Sequence, residues 1–190
     1  MILLLVSVAV FALAALGGAD LRRLATVRLR GSWLILLALG LQLLVFALPV
    51  HVPLLSSHVT AVHVASYVLL VLFAVANVRQ PGVPLAALGL GLNALVICAN
   101  GGRMPVRLAA WQATGYSTRS LREHGVYNNN VLGGHGTHLS FLGDVFPLPS
   151  WVPFASAFSI GDVLLVVGAA VFVWVTCRRD RSGASPAAAS

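Results

Sequence analysis

Residues 159–177 read SIGDVLLVVGAAVFVWVTC, an apolar run with one acid, Asp162, near its start and Arg178-Arg179 just beyond its end. About 20 such residues suffice to cross the hydrocarbon core of a bilayer as a helix. Four more stretches have the same character: Met1–Leu16, Ser32–Leu48, His58–Val78 and Val83–Ala99. Hydrophobic residues make up 58% of the chain and charged residues 9%, whereas a soluble domain carries about 25% charged residues. So little charge cannot cover a soluble surface, and the apolar excess calls for lipid as the solvent. The reading is an all-α integral membrane protein of about five transmembrane helices, with a long extracytoplasmic loop region containing short interfacial helices.

All twelve basic residues are arginine, and their distribution orients the chain. Arg22, Arg23, Arg28 and Arg30 follow the first stretch, Arg79 lies between the third and fourth, and Arg178, Arg179 and Arg181 follow the fifth. Cytoplasmic loops concentrate Arg in this way. The expected location is therefore the bacterial cytoplasmic (inner) membrane, multi-pass, with the N-terminus outside and the C-terminus cytoplasmic. The first stretch has no basic residue before it, which favours a retained helix over a cleaved signal peptide. The net charge of +7 does not point to nucleic acid, because the arginines sit at the ends of apolar segments. Cys98 and Cys177 fall at opposite faces, and two cysteines make no disulfide framework. Residues 1–181 form a single membrane domain, and the small polar tail 182–190 is expected to be disordered.

The outer loop, residues 100–158, carries most of the polar and turn-forming side chains. Pro105–Ala113 is expected as a short helix with Pro in its first turn, placing Arg107 and Trp111 at the interface. Ser117–His124 is expected as another, stopped by Gly125, and Tyr127–Gly136 as irregular backbone. Pro147, Pro149 and Pro153 break the chain before the last helix. On the fourth stretch Gly89, Asn93 and Asn100 share a helical face, which suits either close helix packing or the wall of an outward cavity. The glycines and Arg103 in Asn100-Gly101-Gly102-Arg103 suit either a C-cap with a snorkelling arginine or an anion site. Candidate ligand-binding residues are Asn93, Asn100, Arg103, Tyr127 and Asn128.

Asp144 and Asp162 are two of only five acids, and both are assigned to the outer side. Ser159 with Asp162 three residues on has the spacing of a capping box, and Asp162 suits the positive end of a helix dipole. If Asp144 and Asp162 converge they are a candidate catalytic pair, because like charges split their pKa values and allow one acid and one base. Arg103 is the alternative partner for either. The six histidines, His51, His58, His63, His124, His135 and His138, all fall on the outer side. None belongs to an H-E-x-x-H motif, so no metal and no cofactor is assigned.

Four motifs in this order carry a resemblance: Arg30-Gly31-Ser32-Trp33, Asn100-Gly101-Gly102-Arg103-Met104-Pro105-Val106, Phe141-Leu142-Gly143-Asp144 and Phe158-Ser159-Ile160-Gly161-Asp162-Val163. Through them the last two-thirds of the chain resembles a family of small bacterial multi-pass membrane proteins described as a domain of unknown function. That resemblance implies the membrane fold and no particular activity. The order of an acid, a Pro-rich step and an acid at a helix start is also similar to lipoprotein signal peptidases, which cleave peptides with two outer-surface aspartates. The likeness implies Asp162 and Asp144 in those roles. The peptidase Asn-Leu-Ile-Asp-Arg-type and Asp-x-x-x-Lys patterns are absent here. Two functions follow as expectations: a non-catalytic membrane module whose outer face binds a lipid, small ligand or partner protein, or a membrane hydrolase using Asp144 and Asp162. The expected partners are the bilayer and a membrane protein or a second copy of the chain. A secondary transporter fits less well, since the five segments are unpaired and no acid lies at mid-membrane depth.

Overall fold

A computed structural model of the chain describes residues 19–47, 53–123, 126–127, 130–153 and 155–178. Several expectations lie outside the described residues: the Met1–Leu16 segment, His51, His124, Asn128, the side chains of His58 and Tyr127, and the 182–190 tail. The structure is mostly helical. Four apolar helices form its body: α1 (Ser32–Ala47), α2 (Pro53–Ala76), α3 (Val83–Ala99) and α6 (Ile160–Cys177). Helix α6 is long and apolar enough to cross a membrane; Ser32–Leu43, Thr60–Ala76 and Val83–Ala99 are shorter apolar stretches.

Each helix begins and ends for local reasons. Pro84 stands in the first turn of α3, where a missing N–H is harmless, and Gly82 precedes it with φ 77°. Ser159 caps α6 rather than belonging to it. Helix α2 starts at Pro53, five residues before the expected His58, because proline is well placed at a helix start. It ends at Ala76, two residues before the expected Val78. There Asn77, buried beyond the last turn, turns its side chain to the backbone of Arg30: it accepts from the Arg30 N–H at 2.7 Å and donates to the Arg30 carbonyl at 2.8 Å. That bond pins the entry to α1 against the exit of α2.

Helix α1 packs on α2, α2 on α3, and α3 on α6. The α3–α6 seam is antiparallel and nearly without side chains. A Cβ on Gly161 would run into Asn93 Oδ1 and come within 2.7 Å of the Gly89 carbonyl oxygen, and one on Gly168 would meet the Gly82 carbonyl oxygen at 2.7 Å. Small residues seven apart on both sides of the seam let the backbones touch. The outward faces carry large apolar residues instead: Leu36, Leu39 and Leu43 on α1, Val68, Leu72 and Val75 on α2, and Leu88 and Leu95 on α3 are all exposed.

At one end of the helices, a 3-10 turn (Leu21–Thr26) sits against the close of α6. Asp20 N–H donates to the Cys177 carbonyl at 2.9 Å, and Arg23 donates to the Arg178 carbonyl at 2.7 Å. Of the arginines expected on the inner side, the described ones, Arg22, Arg23, Arg28, Arg30, Arg79 and Arg178, lie at this end.

At the opposite end, residues 100–158 fold into a small module. Strand β1 (Met104–Val106) pairs in parallel with β3 (Asn130–Leu132), which pairs antiparallel with β2 (Val126–Tyr127). Short helices α4 (Leu108–Ala113) and α5 (Arg119–Glu123) and a 3-10 turn (Ser140–Leu142) surround them, and β4 (Phe146–Pro147) pairs with β5 (Ala157–Phe158). Two expectations are corrected. Pro105 lies in a strand and not in a helix, its carbonyl accepting from Asp144 N–H at 2.8 Å. The Asn-rich run is not all irregular: two residues separate the paired Tyr127 and Asn130, the spacing of a tight hairpin. Trp111, expected at the interface, is buried with Val106 and Leu121 in the core of this module.

Candidate functional site

Two hydrogen-bonded groups lie where the module joins the helix ends, Asp162 with Ser159 and Asn93, and Asp144 with Asn130. Asp162, in the first turn of α6, completes the anticipated capping box. Its Oδ2 accepts from Ser159 N–H at 3.0 Å, and its own N–H donates to Ser159 Oγ at 3.0 Å. Asn93 extends the box across the α3–α6 seam, donating from Nδ2 to Asp162 Oδ1 at 2.9 Å and accepting from Ser159 Oγ at 2.9 Å. Asn93 and Ser159 are fully buried. A buried amide costs little only when both its ends are bonded, and here both are. Gly161 is what lets Asn93 come this close.

Asp144 arrives by a different route. Its backbone bridges Val106, its carbonyl accepting from Arg107 N–H at 3.0 Å, so the chain runs as an extra short strand beside β1. Gly143 just before it passes against the Pro105 carbonyl with no room for a Cβ. The partly buried Asp144 side chain accepts from Asn130 Nδ2 at 2.8 Å. Burial pushes its carboxyl up from 3.8 to about 7, the nearby Asp162 charge adds to the rise, and the Asn130 hydrogen bond opposes it. The two acids are thus within each other's electrostatic reach. Tyr67 of α2, packed against Val96, Ile97 and Met104, lies within reach of both.

The remaining candidates fall elsewhere. Asn100, at the end of α3, donates from Nδ2 to the carbonyls of Val96 (2.7 Å) and His138 (2.8 Å) and accepts from His138 N–H at 2.8 Å. It repeats, at this end of the helices, the geometry of Asn77 at the other, and it ties the 134–140 segment to the helix. Arg103 is exposed, and among the described residues the ion pair is Arg119–Glu123 at 2.9 Å, so Arg103 pairs with neither acid. Tyr127 lies in β2, beside the residue that bonds Asp144. His63 is buried on α2, its ring edge-on to Tyr67 at 5.3 Å. Among the described residues no three His, Cys, Asp or Glu side chains are grouped to hold a metal ion.

Sequence reading missed Asn130, Asn77 and Tyr67. Asn130 was hidden in an Asn run whose register only the strand pairing reveals. Tyr67 had a usable signal: Thr60, His63 and Tyr67 recur at helical spacing on one face of α2.

No curated protein and no solved structure matches the chain. The model of a family described as a family of unknown function (DUF5317) matches residues 26–174, from the loop before α1 to near the end of α6. The chain, with its helix seam and the 100–158 module within that span, belongs to this family of unknown function.

Proposed function

We propose that this is a multi-pass protein of the bacterial cytoplasmic membrane whose outer module is a non-catalytic binding element carried on the helix ends. One observation supports this reading above the others: the polar side chains suited to chemistry are occupied in joining the helices to one another and the module to them. Both Asp162 oxygens, both ends of the Asn93 amide and both ends of the Asn100 amide are engaged within the protein. Strands, short helices and clamps make a rigid platform from a stretch that would otherwise be a long loop, and a rigid outward platform is suited to recognition. The test is native mass spectrometry of the protein released from lipid nanodiscs. A retained lipid, small ligand or partner chain supports the proposal; a bare monomer that turns over a peptide or ester substrate contradicts it.

A second reading is favoured by one specific observation, the mutual influence of Asp144 and Asp162 in a partly buried setting. A carboxyl that holds its proton near neutrality, beside a second carboxyl, is the acid–base arrangement of a hydrolase that activates water. On this reading Asp144→Asn and Asp162→Asn each abolish turnover while leaving the fold intact. On the first reading they change stability only.

A further inference from the structure

Between Asp144 and Asp162 the chain carries no charged residue. A stretch that faces water rarely does without charge, and two of the large side chains of this one, Phe146 and Trp151, are exposed. It forms the β4–β5 hairpin, with Phe146 opposite Phe158 and Leu148 N–H donating to the Ser156 carbonyl at 2.8 Å. One side of the hairpin rests on the module, where Ala157 packs against Val106, Trp111 and Leu121. The turn is tied down by Ser150 N–H donating to the Ala113 carbonyl at 3.1 Å. The other side carries Phe146, 40% exposed and stacked on Phe158 at 5.5 Å, and the connection between the strands carries Trp151, 81% exposed, and exposed Pro153.

The hairpin also runs directly into α6. Ile160, Val163, Val167, Val171 and Trp174 are exposed at spacings of three and four, one helical stripe from end to end. At 1.5 Å per residue the helix is about 27 Å long, close to the hydrocarbon thickness. That sets Trp174 near one boundary of the core and the hairpin, just before Ile160, at the other. Tryptophan is the residue that settles at such boundaries, with its ring among the acyl chains and its N–H among the headgroups.

We infer that the β4–β5 hairpin, with Trp151 and Phe146 as anchors, lies in the headgroup region of the outer leaflet, so that the outer module rests on the lipid surface instead of projecting into water. The occupant of its apolar side is phospholipid. Exposed Arg103 and Arg107 stand on the same module, Arg107 bonded through its backbone to Asp144 at the hairpin's base, and they are placed to meet lipid phosphate. This inference rests on the membrane reading above.

The test uses the full chain in phosphatidylcholine vesicles. Emission of Trp151 is obtained as the difference between the native protein and Trp151→Phe, and that of Trp174 likewise from Trp174→Phe. Each is measured with lipids brominated high on the acyl chain and with a water-soluble quencher on both sides of the membrane. The expected result is blue-shifted Trp151 emission, lost on bromination and shielded from the aqueous quencher. Red-shifted Trp151 emission that only the aqueous quencher removes, with Trp174 still quenched by bromolipid, overturns the hairpin inference and leaves the membrane reading standing. Both tryptophans in water overturn the membrane reading itself. Blue-shifted Trp151 emission untouched by bromolipid overturns the inference in favour of a protein contact, such as a second copy.

Discussion

Gly161→Ala is the perturbation that separates a built helix seam from incidental apolar contact. A Cβ at that position meets Asn93 Oδ1, lies 2.6 Å from Asn93 Cγ and 2.7 Å from the Gly89 carbonyl oxygen. The Gly89 carbonyl is backbone and has no rotamer to escape into, so the helices must part by about 0.7 Å to restore an ordinary contact near 3.4 Å. That movement strains the 2.9 Å Asn93–Asp162 bond towards the limit of hydrogen bonding. Overpacking costs about 1–3 kcal/mol, and each weakened interhelical hydrogen bond in a membrane about 0.6 kcal/mol. Alanine returns about 0.5–1 kcal/mol of helix preference over glycine. The net expectation is a loss of about 1–3 kcal/mol. Gly91→Ala, two residues beyond Gly89 on α3 with nothing within 4 Å of its Cβ, is the control; it keeps only the helix-preference gain of about 0.5–1 kcal/mol. Unfolding followed by circular dichroism during titration with a denaturing detergent compares them. Equal midpoints for the two variants refute the seam. Adding Asn93→Ala to Gly161→Ala is expected to cost less than the sum of the single losses, since it removes one of the clashing groups.

Asp144 makes stability depend on pH in a definite direction. With its carboxyl raised from 3.8 to about 7, the folded chain keeps a proton that the unfolded chain releases. That stabilisation is full below about pH 4, declines as pH rises towards 7 and is gone above it. The full span is about 4 kcal/mol, reduced by whatever water still reaches the carboxyl. Asp144→Asn, whose side-chain oxygen still accepts from Asn130, is expected to flatten the dependence between pH 4 and 7 in the same detergent titration. Asp162→Asn removes the neighbouring charge and is expected to lower the pH at which the protonated-carboxyl infrared band of Asp144 disappears. Asn100→Ala deletes both bonds to His138 and is expected to speed amide exchange across 134–140, while Asn77→Ala loosens the Arg30 region instead; hydrogen-exchange mass spectrometry distinguishes the two.

The helices were legible wherever apolar character alone decides. Val83–Ala99 stands as expected because Gly82 and Pro84 open it and Asn100-Gly101 closes it, all local signals. The capping box at Ser159 and Asp162 was legible for the same reason. Its continuation to Asn93 was not, because a contact across 66 residues depends on Gly161 and Gly89 letting two backbones meet. Pro53 and Pro105 misled in opposite directions: one begins a helix where a loop was expected, and the other sits in a strand where a helix was. At Pro105 the pairing with β3 decided, whereas at Pro53 the helix begins where proline is locally favoured. Trp111 was expected at the interface and is buried, since a tryptophan in a short segment gives no local sign of which face the module will bury. Asn130 needed a strand register, and register comes from long-range pairing.

The orientation of the two polar ends tests the account most directly. With Cys98→Ser and Cys177→Ala as background, single cysteines replace exposed His135 in the 100–158 module and exposed Ala25 within the 3-10 turn at the opposite end. Intact bacterial cells producing each variant are treated with a membrane-impermeant maleimide. The account predicts labelling of His135→Cys on intact cells and of Ala25→Cys only after permeabilisation. Labelling of Ala25→Cys on intact cells, with His135→Cys protected until lysis, contradicts it.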